Sequence, residues 1–487
     1  MAGHAAAAPR RGLFSPRDRA VIAAASISML LVQMDWFALN LMLPAIGRDF
    51  HTPSTDLQWL VSGYMLTLGA LMITGGRAAD LLGRRRVLVT GLTGFAVVSV
   101  VCAAAQNTAW LTAARAVQGC TAALVLPVSV AVVTAYFRDD RQGRAVGTVL
   151  AFSAVGTALG PFVGGVFAEH LSWRAVFLLN VPFAAAAALL LLRHVPETRD
   201  EDAGHGLDLP GVLTLAGGLS AVMIGVDQGG NWGWAAPPTL AFLIAGVALL
   251  AVFAVIERRS REPLLDLALL RNGPFVTVTL AGSLSNIVYC LVAVFSALYL
   301  QQARGLSPLD SGLIFLALSV GAGSASYWSG HLALRVRPET LMAGGMLLSG
   351  VSLFVLTQVT SLVAYTAVFA VVGIGVGLGW ALTNVATQSY VDAGRLAAAS
   401  GLVLTSLVLL GAVAVAVAST VLEALSGSAA RAASDGPAIE AVLRAAALLS
   451  VLGAAALAVV VRRNPRGDRP EPPNAGRSPG RTSPTVL

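Results

Sequence analysis

The chain alternates long apolar blocks with short polar segments, and each block has the length of a membrane-spanning helix. A helix that crosses the hydrocarbon core of a bilayer needs about 20 apolar residues. The pattern therefore predicts fourteen membrane-spanning helices and no large soluble domain. Their predicted bounds are 20–43, 57–76, 87–106, 110–137, 145–168, 173–192, 209–227, 237–256, 274–300, 308–330, 340–358, 362–388, 396–421 and 445–461.

The composition agrees with a polytopic membrane protein. Of the 487 residues, 56% are hydrophobic and 12% are charged, whereas soluble proteins have about 25% charged residues. The first apolar block is too long for a secretory signal and has no small-residue cleavage site, so we expect it to remain as the first span. The 3 cysteines have no ligand spacing, which predicts neither a disulfide framework nor a metal site.

The arginines predict the orientation of the helices. All 32 basic residues are arginine, and fourteen spans place 26 of them on the side of both termini, 5 on the other side and Arg115 inside a span. Because basic residues accumulate on the cytoplasmic side of a membrane, we expect a protein of the inner (cytoplasmic) membrane with both termini in the cytoplasm. The arginines form no single basic face, so nucleic acid is not an expected partner.

Two segments share one pattern of helix, polar turn and helix. The turn in 53–91 is G-R-A-A-D-L-L-G-R-R-R, and the turn in 308–344 is the degenerate G-H-L-A-L-R-V-R-P-E-T. Two six-helix halves related as parallel repeats would explain the similarity. The predicted organisation is a cytoplasmic N-terminal tail (1–19), a first half (20–193), two inserted helices with linkers (194–273), a second half (274–461) and a disordered cytoplasmic tail (462–487).

Asp35 is a carboxylate inside an apolar block, in the stretch L-V-Q-M-D-W-F-A-L-N-L-M-L-P. It lies about 20 Å along its predicted helix, past the middle of the bilayer. A charged carboxylate is costly there, so Asp35 either takes up and releases a proton or belongs to a fixed hydrogen-bonded network. The first alternative makes Asp35 a candidate for proton coupling and substrate binding.

Arg115 is the second charge at depth, in the stretch L-T-A-A-R-A-V-Q-G. An arginine in hydrocarbon costs about 3 kcal/mol on insertion scales, so it should face protein, water or an acid. The alternative is an arginine that extends to the outer interface. Asp35 is the only acid that the pattern places well inside the membrane, so it is the expected partner of Arg115.

The polar turn after the second predicted helix combines glycine, aspartate and arginine at fixed spacing. Gly76 and Gly83 allow a tight turn and close helix approach. Asp80 is placed to cap the next helix or to pair with an arginine across the bundle.

This turn resembles the signature of the major facilitator superfamily, G-x-L-a-D-r-x-G-r-[KR]-x-x-[LI]. Ala78 and Leu81 differ from it. The resemblance implies an all-α fold with two six-helix halves and two inserted central helices. It also implies that Asp80 and Arg84 hold one conformational state through their charges. The matching positions are Gly76, Asp80, Gly83, Arg84, Arg85 and Leu88.

The fifth predicted helix carries a string of glycines around a proline. Gly156, Gly160 and Gly164 lie four residues apart and form a smooth stripe for close helix packing, and Pro161 bends the helix. The full string, G-x-x-x-G-P-x-x-G-G, ends at Gly165 and resembles the antiporter motif of proton-coupled drug exporters in this superfamily. The resemblance implies export rather than uptake.

The segments around the two buried charges also resemble superfamily motifs. Arg115, Gln118 and Gly119 match l-x-x-x-R-x-x-q-G, which implies a role for Arg115 in proton coupling. Asn40 and Pro44, with Asp35, match the D-x-t-i-v-n-v-A-l-P pattern of the fourteen-span drug:proton antiporter group.

Other positions extend or limit this resemblance. Trp36, Phe37 and Ala38 replace the commoner polar and β-branched residues of the helix 1 pattern. The stretch S-W-R-A-V-F-L-L-N-V-P, 172–182, is a second resemblance to the same group. The second half matches mainly by its helix count.

The sequence thus predicts an exporter that exchanges protons for lipophilic compounds, cationic ones among them, by alternating access. Uptake of a small metabolite is the alternative. No catalytic constellation or nucleotide-binding loop is present, so we expect neither an enzyme nor a cofactor, and the proton gradient as energy source. The expected partners are a small-molecule substrate and the lipid bilayer, with a monomeric chain. Candidate polar groups of the second half are Asn286, Tyr289, Asn384 and Gln388.

Overall fold

The computed structural model describes residues 14–52, 57–137, 140–199, 208–260, 267–333, 335–391, 396–427 and 435–463. Within these ranges the chain forms 14 helices that are long and apolar enough to cross a membrane, so the predicted count is confirmed and the chain is a multi-pass membrane protein. The helices are α1 (Pro16–Phe50), α2 (Gln58–Leu82), α3 (Arg84–Ala103), α4 (Thr108–Tyr136), α5 (Asp140–His170), α6 (Trp173–His194), α7 (Leu209–Trp232), α8 (Pro237–Arg259), α9 (Gly273–Leu298), α10 (Pro308–Ala333), α11 (Pro338–Leu356), α12 (Leu362–Tyr390), α13 (Leu396–Ser426) and α14 (Gly436–Arg463).

The ends of several helices differ from the prediction. α1 begins at a Ser15 capping box and continues through Pro44 to Phe50, because an interior proline removes only one backbone hydrogen bond and does not have to end the helix. α14 begins at Gly436 rather than at 445. Its added turns contain Glu440 and Arg444, which form an i,i+4 ion pair with a separation of 2.9 Å. Polar turns of this kind extend a helix beyond its apolar block.

The predicted tails lie largely outside the described residues. Residues 1–13 and 464–487 are not among them. The remaining part of the predicted N-terminal tail belongs to α1 from Pro16 onward, and Arg462 and Arg463 belong to α14.

The two halves repeat the same helix packing. In the first half α1 packs on α5 and α6, α2 on α4, and α3 on α4 and α6. In the second half α9 packs on α13 and α14, α10 on α12, and α11 on α12 and α14. When eight is added to both helix numbers of a contact in the first half, the result is a contact of the second half. This correspondence is expected for the parallel repeat that the two polar turns predict.

The halves meet through α5 with α10, α2 with α13, and α1 with α9. A Cβ atom at Gly165 would lie 2.3 Å from the carbonyl oxygen of Pro308. The Glu169 carboxylate accepts a hydrogen bond of 2.9 Å from the backbone N–H of Leu309, and Gln301 donates one of 3.1 Å to the Leu41 carbonyl. The contacts of Gly165, Glu169 and Gln301 lie at the end of the bundle away from the turn between α2 and α3. We call the end with that turn the basic end and the other the distal end.

The inserted helices lie at one side of the bundle. α7 packs against α8 and also contacts both α2 and α13. Leu215 of α7 belongs to an apolar cluster with Leu402 and Val403 of α13, and Leu71 of α2 packs against the same cluster. The insertion therefore covers one side of the junction between the halves.

Candidate functional site

The two charges that the sequence places deep in the membrane form an ion pair. The Arg115 Nη1 of α4 lies 2.7 Å from the Asp35 Oδ2 of α1, and both side chains are 0% exposed. α4 runs unbroken through Arg115, and the carboxylate compensates the buried guanidinium. The alternative of an arginine that extends to the interface is wrong.

A polar cluster from four helices surrounds the Asp35 carboxylate. Its Oδ1 atom accepts hydrogen bonds from Asn180 Nδ2 of α6 at 2.7 Å and from Gln118 Nε2 of α4 at 3.4 Å. Both amides also donate to the Ser99 hydroxyl of α3, at 3.2 and 2.9 Å. We call Asp35, Ser99, Arg115, Gln118 and Asn180 the buried polar cluster.

Arg115 has partners other than the carboxylate. Its Nη1 atom also donates to Gln118 Oε1 at 2.7 Å, and its Nε atom donates to the Leu60 carbonyl at 3.2 Å. The guanidinium carbon lies 4.1 Å from the centre of the Tyr64 ring, a cation–π distance. The guanidinium therefore has neutral partners beside the carboxylate, while its Nη2 atom has no hydrogen-bond partner among the described residues.

Sequence reasoning placed Asp35, Arg115 and Gln118 in the site but missed other members. Asn180 belongs to the stretch 172–182 that carries the second resemblance, and an asparagine in an apolar helix is itself a signal. Ser99 and Tyr64 gave no signal, because serine and tyrosine occur often in apolar helices without a functional role.

A narrow cavity lies between the halves, beside the buried polar cluster. It has room for about one water molecule. The Trp36 and Phe37 rings are stacked at 13° with centroids 5.3 Å apart, and the Tyr289 ring of α9 meets Phe37 edge-on at 5.3 Å. We call this space the central cavity. Its lining comes from α1, α2, α9 and α13: Trp36, Phe37, Asn40, Val61, Met65, Cys290, Ala293, Val294 and Val415.

The polar candidates of the second half have different placements. Tyr289 contacts the cavity lining through Phe37. Asn286 donates a hydrogen bond of 2.8 Å to the Leu407 carbonyl and thereby ties α9 to α13. The side chains of Asn384 and Gln388 lie outside the described residues.

The glycine string of α5 forms the contact with α1. A Cβ atom at Gly156 would lie 2.5 Å from the Leu30 carbonyl oxygen, and one at Gly164 would lie 2.3 Å from that of Ala38. At Gly160 it would lie 2.7 Å from Phe37 Cβ. α5 therefore supports the segment of α1 that carries Asp35. Pro161 lies within α5, which continues through it.

Gly119 of the helix 4 motif brings α4 against α2. A Cβ atom there would lie 2.4 Å from the Tyr64 carbonyl oxygen and 2.1 Å from the Thr67 hydroxyl. That hydroxyl donates a hydrogen bond of 2.7 Å to the Ala116 carbonyl. This contact holds the Tyr64 ring and Arg115 on facing helices.

The polar turn between α2 and α3 is held by the segment that follows α6. Gly83 has φ 108° and ends α2. The Glu197 carboxylate accepts a hydrogen bond of 3.0 Å from the Arg85 backbone N–H and lies 3.6 Å from the Arg85 and 3.7 Å from the Arg86 guanidinium. Glu197 therefore caps α3 and pairs with its first arginines, a contact that the sequence did not indicate.

The structure bears on two expectations for this turn, and the one for Gly76 needs correction. Asp80 pairs with Arg84, four residues later, at 2.8 Å, and among the described residues no arginine across the bundle pairs with it. A Cβ atom at Gly76 would have no neighbour within 4 Å, so Gly76 is not a point of close helix approach. A role of Asp80, Arg84 and Arg85 in holding one conformational state stays a prediction.

The two glycines of this turn should respond differently to alanine. At Gly83, φ 108° and a Cβ contact of 2.6 Å with the Glu197 carboxylate predict a destabilisation of about 1–3 kcal/mol. At Gly76, in a helix with open space, alanine should be neutral or stabilise by about 0.5–1 kcal/mol. Thermal unfolding in detergent should give a lower midpoint for Gly83→Ala alone. Equal midpoints would contradict this account of the turn.

Fourteen spanning helices in two repeated halves around a central cavity define the architecture of a membrane transporter. The family model of the Major Facilitator Superfamily matches residues 25–415 and 278–486. The chain therefore belongs to the Major Facilitator Superfamily, a family of transporters rather than enzymes. The resemblance to this superfamily is confirmed, and the resemblance to the drug:proton antiporter group stays a prediction.

Individual relatives agree with this assignment. The chain is 35% identical to the puromycin resistance protein pur8 of Streptomyces alboniger, and the match covers 68% of this chain and 66% of pur8. The chain thus spans slightly less than two thirds of the length of that relative. It is 34% identical to the multidrug efflux pump LfrA of Mycolicibacterium smegmatis, over 78% of this chain and 76% of that one. A bacterial homologue of the human lysosomal transporter Spinster, in an inward-facing and unoccupied crystal structure, shares the fold with TM-score 0.68 at 15% identity, covering 92% of this chain and 98% of the other.

Proposed function

We propose that the protein is a proton-coupled exporter of lipophilic compounds, and that Asp35 carries the proton. The observation that carries this proposal is the Asp35–Arg115 ion pair, fully buried and 2.7 Å long, in the membrane-spanning core. A buried charge pair is costly and a weak source of stability, and ionisable residues inside membrane bundles commonly serve proton or ion pathways. The relatives named for resistance and efflux support export as the direction.

The contacts of Arg115 suggest how a proton would act on the bundle. A proton on Asp35 removes the charge attraction to Arg115, which keeps Gln118, the Leu60 carbonyl and the Tyr64 ring as partners. All three lie on α2 and α4. Protonation therefore loosens α1 from α4 without leaving the guanidinium alone. When the proton leaves, the pair closes again.

We place the basic end in the cytoplasm of a bacterial cell, with both termini on that side of the inner membrane. The unequal distribution of the arginines supports this orientation. The distal contacts between α5 and α10 would then close the outer side of the transporter. We expect the chain to act as a monomer, driven by the proton gradient without a cofactor.

Transport into inverted membrane vesicles tests the direction and the energy source. In such vesicles an exporter accumulates substrate when the lumen is acidified, whereas an importer releases it. We expect puromycin and a panel of lipophilic dyes to include a compound that accumulates and that leaves when a protonophore is added. Vesicles without the protein provide the control. Accumulation that a protonophore does not change would overturn proton coupling, and release on acidification would favour the uptake alternative.

A further inference from the structure

The proton site and the central cavity lie on different faces of α1. Successive residues of an α-helix are rotated by about 100°, which places Trp36, Phe37 and Asn40 at about 100°, 200° and 140° from Asp35. The three residues line the central cavity, whereas the Asp35 carboxylate accepts from Arg115, Asn180 and Gln118. The carboxylate is therefore turned away from the space in which a substrate would lie.

Both oxygen atoms of the Asp35 carboxylate are already paired within the buried polar cluster. One carboxylate oxygen receives Arg115 and the other receives Asn180 and Gln118, and the side chain is 0% exposed. The residues that line the central cavity include no acid and no base. A cation in this cavity would lose its hydration without gaining a counter-charge, and cation–π contacts with the Trp36 and Phe37 rings would offset only part of that loss.

Asn40 is the polar group that the cavity offers instead. Its side chain is 3% exposed, and its Oδ1 atom has no hydrogen-bond partner among the described residues. Pro44, four residues later in α1, has no N–H, so it gives the Asn40 carbonyl no helical hydrogen bond. A buried, unpaired amide oxygen is less favourable than a paired one, and a ligand N–H or O–H that reaches it would remove that cost.

The remaining lining favours a flat aromatic ligand. The stacked rings of Trp36 and Phe37 belong to α1, and Met65 of α2 and Cys290 of α9 line the same cavity. Aromatic faces and polarisable sulfur atoms pack well against aromatic rings. Because this lining comes from both halves, the narrow space widens when the halves move apart, and the same residues then line a larger site.

We propose that the central cavity selects neutral, planar aromatic compounds with an N–H or O–H donor, which Asn40 recognises. This inference rests on the proposed transport function for its biological meaning, but it concerns binding and can be measured without transport. It narrows the predicted lipophilic substrates to uncharged ones. It also means that substrate and proton do not compete for one carboxylate, so their coupling passes through the movement of α1.

Binding of three tricyclic probes to the purified full chain in nanodiscs tests this inference. Acridone is neutral and carries an N–H donor, 10-methylacridone is neutral without that donor, and 10-methylacridinium is a cation of the same ring size. We expect acridone to bind the wild type about tenfold more tightly than 10-methylacridone, as for one buried hydrogen bond. The cation should bind most weakly. Equal affinities for the two acridones, or tightest binding of the cation, would overturn the proposal.

Variants of one position assign the recognition to Asn40. Asn40→Leu should remove the difference between the two acridones, and Asn40→Asp should raise the affinity for 10-methylacridinium by tenfold or more. Asn107→Leu makes the same change at an exposed residue that caps α4, and it should leave all three affinities unchanged. A preference for acridone that survives Asn40→Leu in a folded variant would show that another group recognises the donor.

The outcome separates this inference from the proposed function. If acridone binds as expected but vesicles show no proton-driven transport of any compound, proton-coupled export fails and the cavity assignment stands. If vesicles export cations in preference to neutral compounds, export stands and the neutral selectivity is wrong.

Discussion

Asp35→Asn is expected to reduce proton-driven export by at least about 100-fold while energy-independent exchange of substrate across the membrane persists. Asparagine has nearly the shape of aspartate and its amide oxygen can still accept from Arg115, but it cannot bind a proton in the same way. A purely structural role of Asp35 would remove both activities. The measurement compares acidification-driven accumulation with substrate counterflow in the same vesicles.

The control for this change is Asp49→Asn on the same helix. Asp49 lies at the distal end, where its carboxylate pairs with Arg174 at 2.6 Å and is 42% exposed. Surface ion pairs contribute about 0–1 kcal/mol, so we expect at most a twofold change in transport. Proton-driven accumulation at the wild-type rate in a folded Asp35→Asn variant would remove Asp35 from the proton pathway.

Gly164→Ala is expected to have the second largest effect. Its Cβ atom would lie 2.3 Å from the Ala38 carbonyl oxygen, and a backbone atom cannot move aside as a flexible side chain can. α5 and α1 must therefore separate, at a cost of about 1–3 kcal/mol. Because α1 carries Asp35 on one face and the cavity residues on another, export should fall at least about tenfold together with the thermal midpoint.

Gly147→Ala is the matched control for this change. Gly147 lies in α5 as well, and a Cβ atom there would have no neighbour within 4 Å. Alanine should leave transport unchanged and raise the unfolding midpoint slightly, as expected for glycine to alanine within a helix. If Gly164→Ala behaved like Gly147→Ala, the close approach of α1 and α5 would not be required for transport.

The helices follow from the sequence because the thickness of the bilayer sets the length of each apolar block. The ends of α1 and α14 do not follow from hydropathy. The Ser15 cap of α1 and the Glu440–Arg444 pair of α14 extend these helices beyond their apolar blocks. The pairing of Asp35 with Arg115 is predictable, since two opposite charges at depth need each other. The contacts of Ser99 and Glu197 are not predictable, because only the folded chain brings Ser99 to the Gln118 and Asn180 amides and Glu197 to the α3 arginines.

The angular position of Asp35 was also beyond the sequence prediction. The angles between residues 35, 36, 37 and 40 around the axis of α1 follow from helix geometry. Which face of α1 meets the central cavity depends on the packing of α5 and α6 against α1. The glycine string fixes that packing through Gly156, Gly160 and Gly164. The glycine string that resembles the antiporter motif thus also supports the orientation of α1 in which Trp36, Phe37 and Asn40 line the central cavity.

The position of α7 has a consequence for how a membrane-dissolved compound reaches the transporter. α7 contacts α2 and α13, with Leu215 packed against the cluster that contains Leu402, so the inserted pair occupies one of the two lateral junctions between the halves. Lipophilic compounds concentrate in the bilayer leaflets, and a route from a leaflet crosses such a junction. We therefore expect lateral entry to be one-sided in this protein, through the part of the junction between α5 and α10 that lies on the basic-end side of their distal contacts.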